Sequence, residues 1–103
     1  MPYFCAMVII TKAKIIDFYE IETTAKESLL QWYNKTLLSD WSNFHNLKQT
    51  FNSADSIGND RYVFNVGGNK YRIVAMIHFS TRTIYLRFVG THKQYDKIDS
   101  KTI

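Results

Sequence analysis

Between Arg61 and Val89 apolar residues recur at every second position, and this period constrains the fold more than any other feature of the chain. Three strands are predicted, Arg61–Val66, Lys70–Phe79 and Thr83–Val89, joined by a tight hairpin at Gly67-Gly68 and a second turn at Ser80-Thr81-Arg82. Paired residues of a hairpin point to the same face. With Gly67-Gly68 as a two-residue turn, Val66 faces Asn69, Phe64 faces Tyr71 and Tyr62 faces Ile73. Tyr62, Phe64, Val66, Tyr71, Ile73, Ala75, Ile77 and Phe79 then share one apolar face, and an even-length second turn adds Ile84, Leu86 and Phe88. The opposite face carries Arg61, Val63, Asn65, Lys70, Arg72, Val74, Met76, His78, Tyr85, Arg87 and Val89, a basic and aromatic mixture. A one-residue slip would exchange the two sets, so the apolar pattern sets the register. This register places Arg72 opposite Thr91.

The apolar face needs a cover, and the first half of the chain supplies it. Met7–Thr11 reads as a short buried strand and Lys12–Glu20 as a short helix. Thr24 with Glu27 three residues on forms a capping-box pattern, followed by Leu29, Leu30, Tyr33 and Leu37 as one stripe of a second helix. A third helix is predicted from about Asn43 to Phe51, with Phe44, Leu47 and Phe51 on one side, and residues 52–60 read as loop. The order β-α-α-α-β-β-β followed by a short tail is an α+β fold, helices on one face of a small, mostly antiparallel sheet. At 103 residues this is one domain, with residues 1–6 set apart as an N-terminal extension.

The single cysteine, Cys5, makes neither an internal disulfide nor a zinc site, and no apolar run reaches the ~20 residues of a membrane span. A reducing, cytoplasmic setting is the expectation. Charge is divided along the chain: residues 1–60 hold five lysines against seven carboxylates, whereas residues 61–103 hold four lysines and four arginines against Asp96 and Asp99. A basic half on a small domain points to a polyanionic partner, nucleic acid or an acidic protein segment, although a solvated charged surface reads the same way.

The segment GTHKQYDKI, residues 90–98, follows the last strand. Thr91 with Gln94 is a second capping-box pattern, so a short helix is expected to present His92, Tyr95 and Asp96 about one turn apart. RNA cleavage without a metal needs a group to take the 2′-hydroxyl proton, a group to protonate the leaving 5′-oxygen and cations for the phosphorane. His92 suits proton transfer near neutral pH, Tyr95 suits weak acid–base work or base stacking, and Arg72 suits phosphate geometry. Plain alternatives stand beside each: His92 at the surface, Tyr95 packed on the sheet edge, Lys48 on a helix surface, His45 and His78 structural or exposed. Asp96 and Asp99 lack the company of other carboxylates, and no P-loop, GxSxG or metal-ligand spacing is present, so neither metal nor cofactor is expected.

On MVIITK, LLQWY, DWSNFHNLKQTFNSAD, YVFNVGGNKYRIV and YLRFVGTHKQYDKID, the chain resembles the HigB-type toxins of bacterial toxin–antitoxin systems, within the RelE-like superfamily, from about Met7 to Ile103. The resemblance implies a RelE-like fold and a ribosome-dependent mRNA endonuclease acting on message in the ribosomal A site. It also implies a HigA-like helix-turn-helix antitoxin, through which alone operator DNA is contacted. It carries over to Arg72 as the arginine on the scissile phosphate and to His92 and Tyr95 as catalytic or base-stacking groups. Lys48 and Lys70 are candidates for the lysines of RelE, with Asn65, Arg87, Lys93 and Lys97 as further RNA contacts. The alternative on the same face is a non-catalytic RNA- or ribosome-binding translation inhibitor; a third reading is a structural interaction domain for an acidic partner.

Overall fold

The computed structural model describes residues 6–103, so the reading of residues 1–6 as an extension lies almost wholly outside the described residues. Strand β1 (Val8–Ile10) leads into helix α1 (Ala13–Ile21), then α2 (Lys26–Leu37) and α3 (Phe44–Thr50). Strands β2 (Asp55–Gly58), β3 (Arg61–Val66), β4 (Tyr71–His78) and β5 (Thr83–Thr91) follow, and a short helix α4 (His92–Tyr95) precedes the C-terminal residues. One sheet holds all five strands in the order β1-β5-β4-β3-β2; β1 runs parallel to β5 and every other pair is antiparallel. This is the expected α+β layering. No helix among the described residues is long and apolar enough to cross a membrane.

The core is aromatic. Trp32 of α2, Trp41 and Phe51 close around Phe64 of β3, at centroid separations of 5.1, 6.1 and 5.5 Å. Such pairs add to the area that their large rings bury. The Trp41 indole donates to Thr50 Oγ1 at 3.0 Å, which satisfies its polar edge. Met7, ahead of β1, is buried beneath them, its sulfur accepting from the Trp41 amide at 3.2 Å.

Four local expectations are corrected. First, β1 is an edge strand with Val8 and Ile10 exposed at 53% and 41%; only its inward residue Ile9 packs on the core. Second, Thr24 does not cap α2. Residues Thr23–Ala25 form a 3-10 turn, and the Thr24 hydroxyl instead meets the Tyr71 hydroxyl at 2.9 Å and Glu22 Oε1 at 3.0 Å, pinning the helix start to the sheet. The buried stripe of α2 is accordingly Leu29, Trp32 and Thr36, while Leu30 and Leu37 are only half-buried. Third, the predicted loop 52–60 contains β2, a short edge strand beside β3 with a register shift near Gly58, too short and too polar to show a period. The N-cap of α3 behaves as its sequence indicates, the Asn43 side chain accepting from the Asn46 amide at 2.9 Å.

Fourth, both registers differ. The β3–β4 hairpin closes at Val66↔Tyr71, leaving a four-residue loop in which Gly67, Gly68 and Asn69 all have positive φ. The pairing is displaced by two residues from the two-residue-turn reading, so the faces survive while the partners change. Between β4 and β5 the ladder steps from Ala75↔Leu86 to Val74↔Phe88, and Arg87 is the extra residue of a bulge. Parity therefore flips after Leu86. Phe88 joins Val74 on the face away from the helices, Val89 packs toward the core, and Arg72 lies opposite Gly90 rather than Thr91.

Candidate nucleic-acid interface

The helix-free face is a set of rows across the strands. Asn65, Arg72 and Gly90 form the first; Asp55, Val63, Val74 and Phe88 the second; Arg61, Met76, Tyr85 and Ile10 the third; His78, Thr83 and Val8 the last. Arg72 is only 8% exposed. Its Nη1 donates to the Asn69 and Tyr71 carbonyls at 3.1 and 3.4 Å, and among the described residues no carboxylate pairs with it and its Nε and Nη2 have no protein acceptor. A guanidinium removed from water without a counter-ion is costly, and two free donors in a planar fork match a phosphate.

Tyr95 stands beside it, with the Arg72 guanidinium carbon 6.0 Å from its ring centroid. The ring also meets Phe88 at 6.3 Å, and the hydroxyl lies 3.3 Å from Ser100 Oγ. Helix α4 holds this geometry through the expected capping box. Thr91 Oγ1 accepts from the Gln94 amide at 3.1 Å and Gln94 Oε1 accepts from the Thr91 amide at 2.9 Å. The His92 amide donates to the Lys70 carbonyl at 3.1 Å, tying the helix start to the β3–β4 loop. Gly90 leaves room for both neighbours here: a Cβ would come within 2.5 Å of Phe88 Cζ and 2.7 Å of Gln94 Oε1, so these side-chain ends would have to move.

His92 is exposed, and its Nδ1 lies 3.1 Å from Asp96 Oδ2. A carboxylate at Nδ1 favours the tautomer with its proton there, which leaves Nε2 free as a proton acceptor. No hydrogen bond or ion pair joins His92 to Arg72 or Tyr95 among the described residues.

The remaining candidates divide. Lys70, Lys93 and Lys97 are exposed around α4, and Asn65 flanks Arg72 with its amide 3.5 Å from the Ser53 carbonyl. Lys48 is engaged elsewhere: its ammonium donates to the Asn52 and Ala54 carbonyls at 2.7 and 3.0 Å, closing the end of α3. Arg61, on the same face as Arg72, donates to the Ile103 carbonyl at 2.6 and 3.1 Å and so straps the C-terminal residues along β3. The face is thus less freely basic than alternation alone implies. Burial and the Asp60 carboxylate raise the pKa of the Tyr62 phenol, with a hydrogen bond to Ser56 pulling the other way, but Tyr62 lies under the helices, away from this face. Among the described residues no three His, Cys, Asp or Glu side chains gather as a metal-binding group.

Two participants escaped sequence reasoning. Phe88 was hidden by the bulge, and Ser100 lies in a tail with no periodic signal. The adjacent apolar pair Phe88-Val89 followed by Gly90 is the local sign that the alternation breaks there.

Residues 25–98 match the family model of the HigB toxin, described as the RelE-like toxic component of a toxin–antitoxin system. The chain belongs to this family. It is 37% identical over 92 residues to the mRNA interferase toxin HigB of Escherichia coli (strain K12), which covers 87% of this chain and 88% of that protein. The mRNA interferase HigB of Shigella flexneri matches to the same extent, and that of Escherichia coli O6:H1 is 30% identical over 82 residues, 78% of this chain and 77% of that protein.

Proposed function

We propose that this toxin is an endoribonuclease that cuts messenger RNA on the helix-free sheet face, on the ribosome and without a metal. The observation that carries the reading is Arg72, sequestered without a carboxylate partner and stacked beside Tyr95 at 6.0 Å. In this reaction the 2′-oxygen attacks the adjacent phosphorus, the bond to the 5′-oxygen breaks, and a 2′,3′-cyclic phosphate and a 5′-hydroxyl result. Arg72 holds the charged phosphoryl oxygens through its free nitrogens. His92, oriented by Asp96, takes or returns the proton at Nε2. Tyr95 positions a base or assists the proton transfer, and Asn65, Lys70, Arg87, Lys93 and Lys97 hold the strand. Lys48, already bonded to two carbonyls, is left out of this set. A HigA-like helix-turn-helix antitoxin neutralises the toxin in the cytoplasm and alone contacts operator DNA.

Brief induction followed by mapping of message 5′ ends tests the reading. New ends inside coding sequences are expected, and Arg72→Ala or His92→Ala should abolish both the ends and growth arrest while the circular dichroism spectrum stays unchanged. Folded variants that remain as toxic as the parent would remove these residues from the site. A non-catalytic translation inhibitor is the second reading, favoured by the lack of contact between His92 and the Arg72–Tyr95 pair; growth arrest without new ends would establish it.

A further inference from the structure

The far end of the same sheet face holds a second aromatic group with which the proposed chemistry has no business. Tyr85 of β5 is half-buried in the row with Met76 and Ile10. His78 packs edge-on against it at 5.6 Å, and the Arg87 guanidinium lies 5.9 Å from its ring centroid. Arg87 owes this position to the bulge, which lifts it out of the ladder between Leu86 and Phe88. Of the four arginines, Arg61 and Arg72 are bonded to backbone carbonyls and Arg82 to Asp40 and the Phe79 carbonyl; Arg87 is exposed and has no hydrogen-bond acceptor among the described residues. The rows containing Tyr85 and His78 carry no carboxylate.

We propose that Tyr85, flanked by His78 and Arg87, is a nucleobase-stacking subsite for the RNA strand whose phosphate sits at Arg72. The inference rests on RNA being the substrate of this face. Three observations favour a nucleic acid over a protein ligand here. Aromatic ring and unpaired cation stand side by side, the pairing that holds single strands by stacking and charge together. No acidic group opposes a phosphate in these rows. The patch is also continuous with the Arg72–Tyr95 cluster through Phe88, which meets Tyr95 at 6.3 Å. Tyr85 pairs with Met76 and Phe88 with Val74, two residues apart on β4, so across the bulge the second ring lies about 7 Å from Phe88 along the strand at roughly 3.3 Å per residue. The strand would run along β5, one part at Arg72 and a flanking base at Tyr85.

The test is an abasic scan. A fluorescent oligoribonucleotide carrying a single abasic nucleotide at each position in turn is titrated with wild type, Tyr85→Ala and Tyr85→Phe, all in the His92→Ala background to prevent cleavage. Tyr85→Ala should weaken binding of the intact strand by roughly 5- to 150-fold, the range corresponding to one stacked base, and Tyr85→Phe should bind as the parent does. One abasic position, flanking the cut, should cost the parent affinity and cost the Tyr85→Ala variant nothing further. Equal losses for both proteins at every position, or no RNA binding by the parent, overturn the subsite and leave the patch to a protein partner or to none. The outcome separates from the endonuclease reading: coupling at Tyr85 without new 5′ ends in cells leaves a subsite on a binder, and new ends without coupling leave an endonuclease lacking this subsite.

Discussion

At Arg72 two properties meet that a surface arginine lacks: the guanidinium is largely out of water, and its planar fork is half unused. Lysine would keep the charge and lose the fork, so Arg72→Lys tests geometry apart from charge. We expect mRNA cleavage to fall on the order of 10²-fold or more, as when one preorganised transition-state donor is removed, with stability little changed. Restored cleavage in the lysine variant would mean that charge alone suffices. Asp96 acts one step further out, through His92. Asp96→Asn should therefore cost less than the roughly 10²-fold that losing the proton carrier itself costs, and should lower the cleavage rate without weakening RNA binding. A third residue bears on stability alone. Thr36 is fully buried on α2 and its hydroxyl has no partner among the described residues. Thr36→Val exchanges an unsatisfied polar atom for a methyl of similar size and should raise urea-unfolding stability by about 1 kcal/mol.

At the scale of elements, the β5 bulge and helix α4 act together, and Gly90 joins them. A Cβ at Gly90 would collide with the ends of Phe88 and Gln94, both flexible enough to swing aside. The fold should tolerate Gly90→Ala at a cost of about 1 kcal/mol, since displacing Gln94 breaks one bond of the capping box. Cleavage should suffer far more than stability, because Phe88 and α4 together set the place of Tyr95; a Gly90→Ala enzyme of undiminished rate would show that Tyr95 needs no such support. The sequence carried much of this arrangement. Alternation in β3 and β4 sorted the faces, and T-H-K-Q announced the cap of α4, because both signals are local. The bulge was not legible, since a two-against-one pairing is decided by how β5 fits β4 and leaves only Phe88-Val89-Gly90 as its trace. Nor was the role of Thr24: its capping pattern is genuine, but the Tyr71 hydroxyl, distant in sequence, offered a competing partner. Lys48 could be placed on a helix end but not on the two carbonyls it would reach, which belong to a loop whose path the helix does not fix.

Across the whole molecule, the division of charge along the chain becomes a division in space. The acidic first sixty residues supply β1, the helical cover and β2, while the cations of residues 61–103 stand on β3–β5, in the turns that join them, around α4 and in the residues after it, Arg82 being paired with Asp40. A strand bound on the helix-free face releases counterions there, and the logarithm of its affinity should fall with the logarithm of salt by about 0.7 per phosphate neutralised. Lys93→Ala and Lys97→Ala, next to the proposed cleavage point, should each reduce that slope by about 0.7 where the side chain meets a phosphate. Lys26→Ala is the control: its ammonium lies 5.5 Å over the Tyr19 ring on the helical side, and its loss lowers the net charge by the same amount. If all three substitutions flattened the salt dependence equally, RNA would be held by the overall charge and the assignment of one face would be wrong. A change confined to Lys93 and Lys97 would show that position decides the contact, as expected when cations belong to a site that a bulged strand and a capped helix bring together.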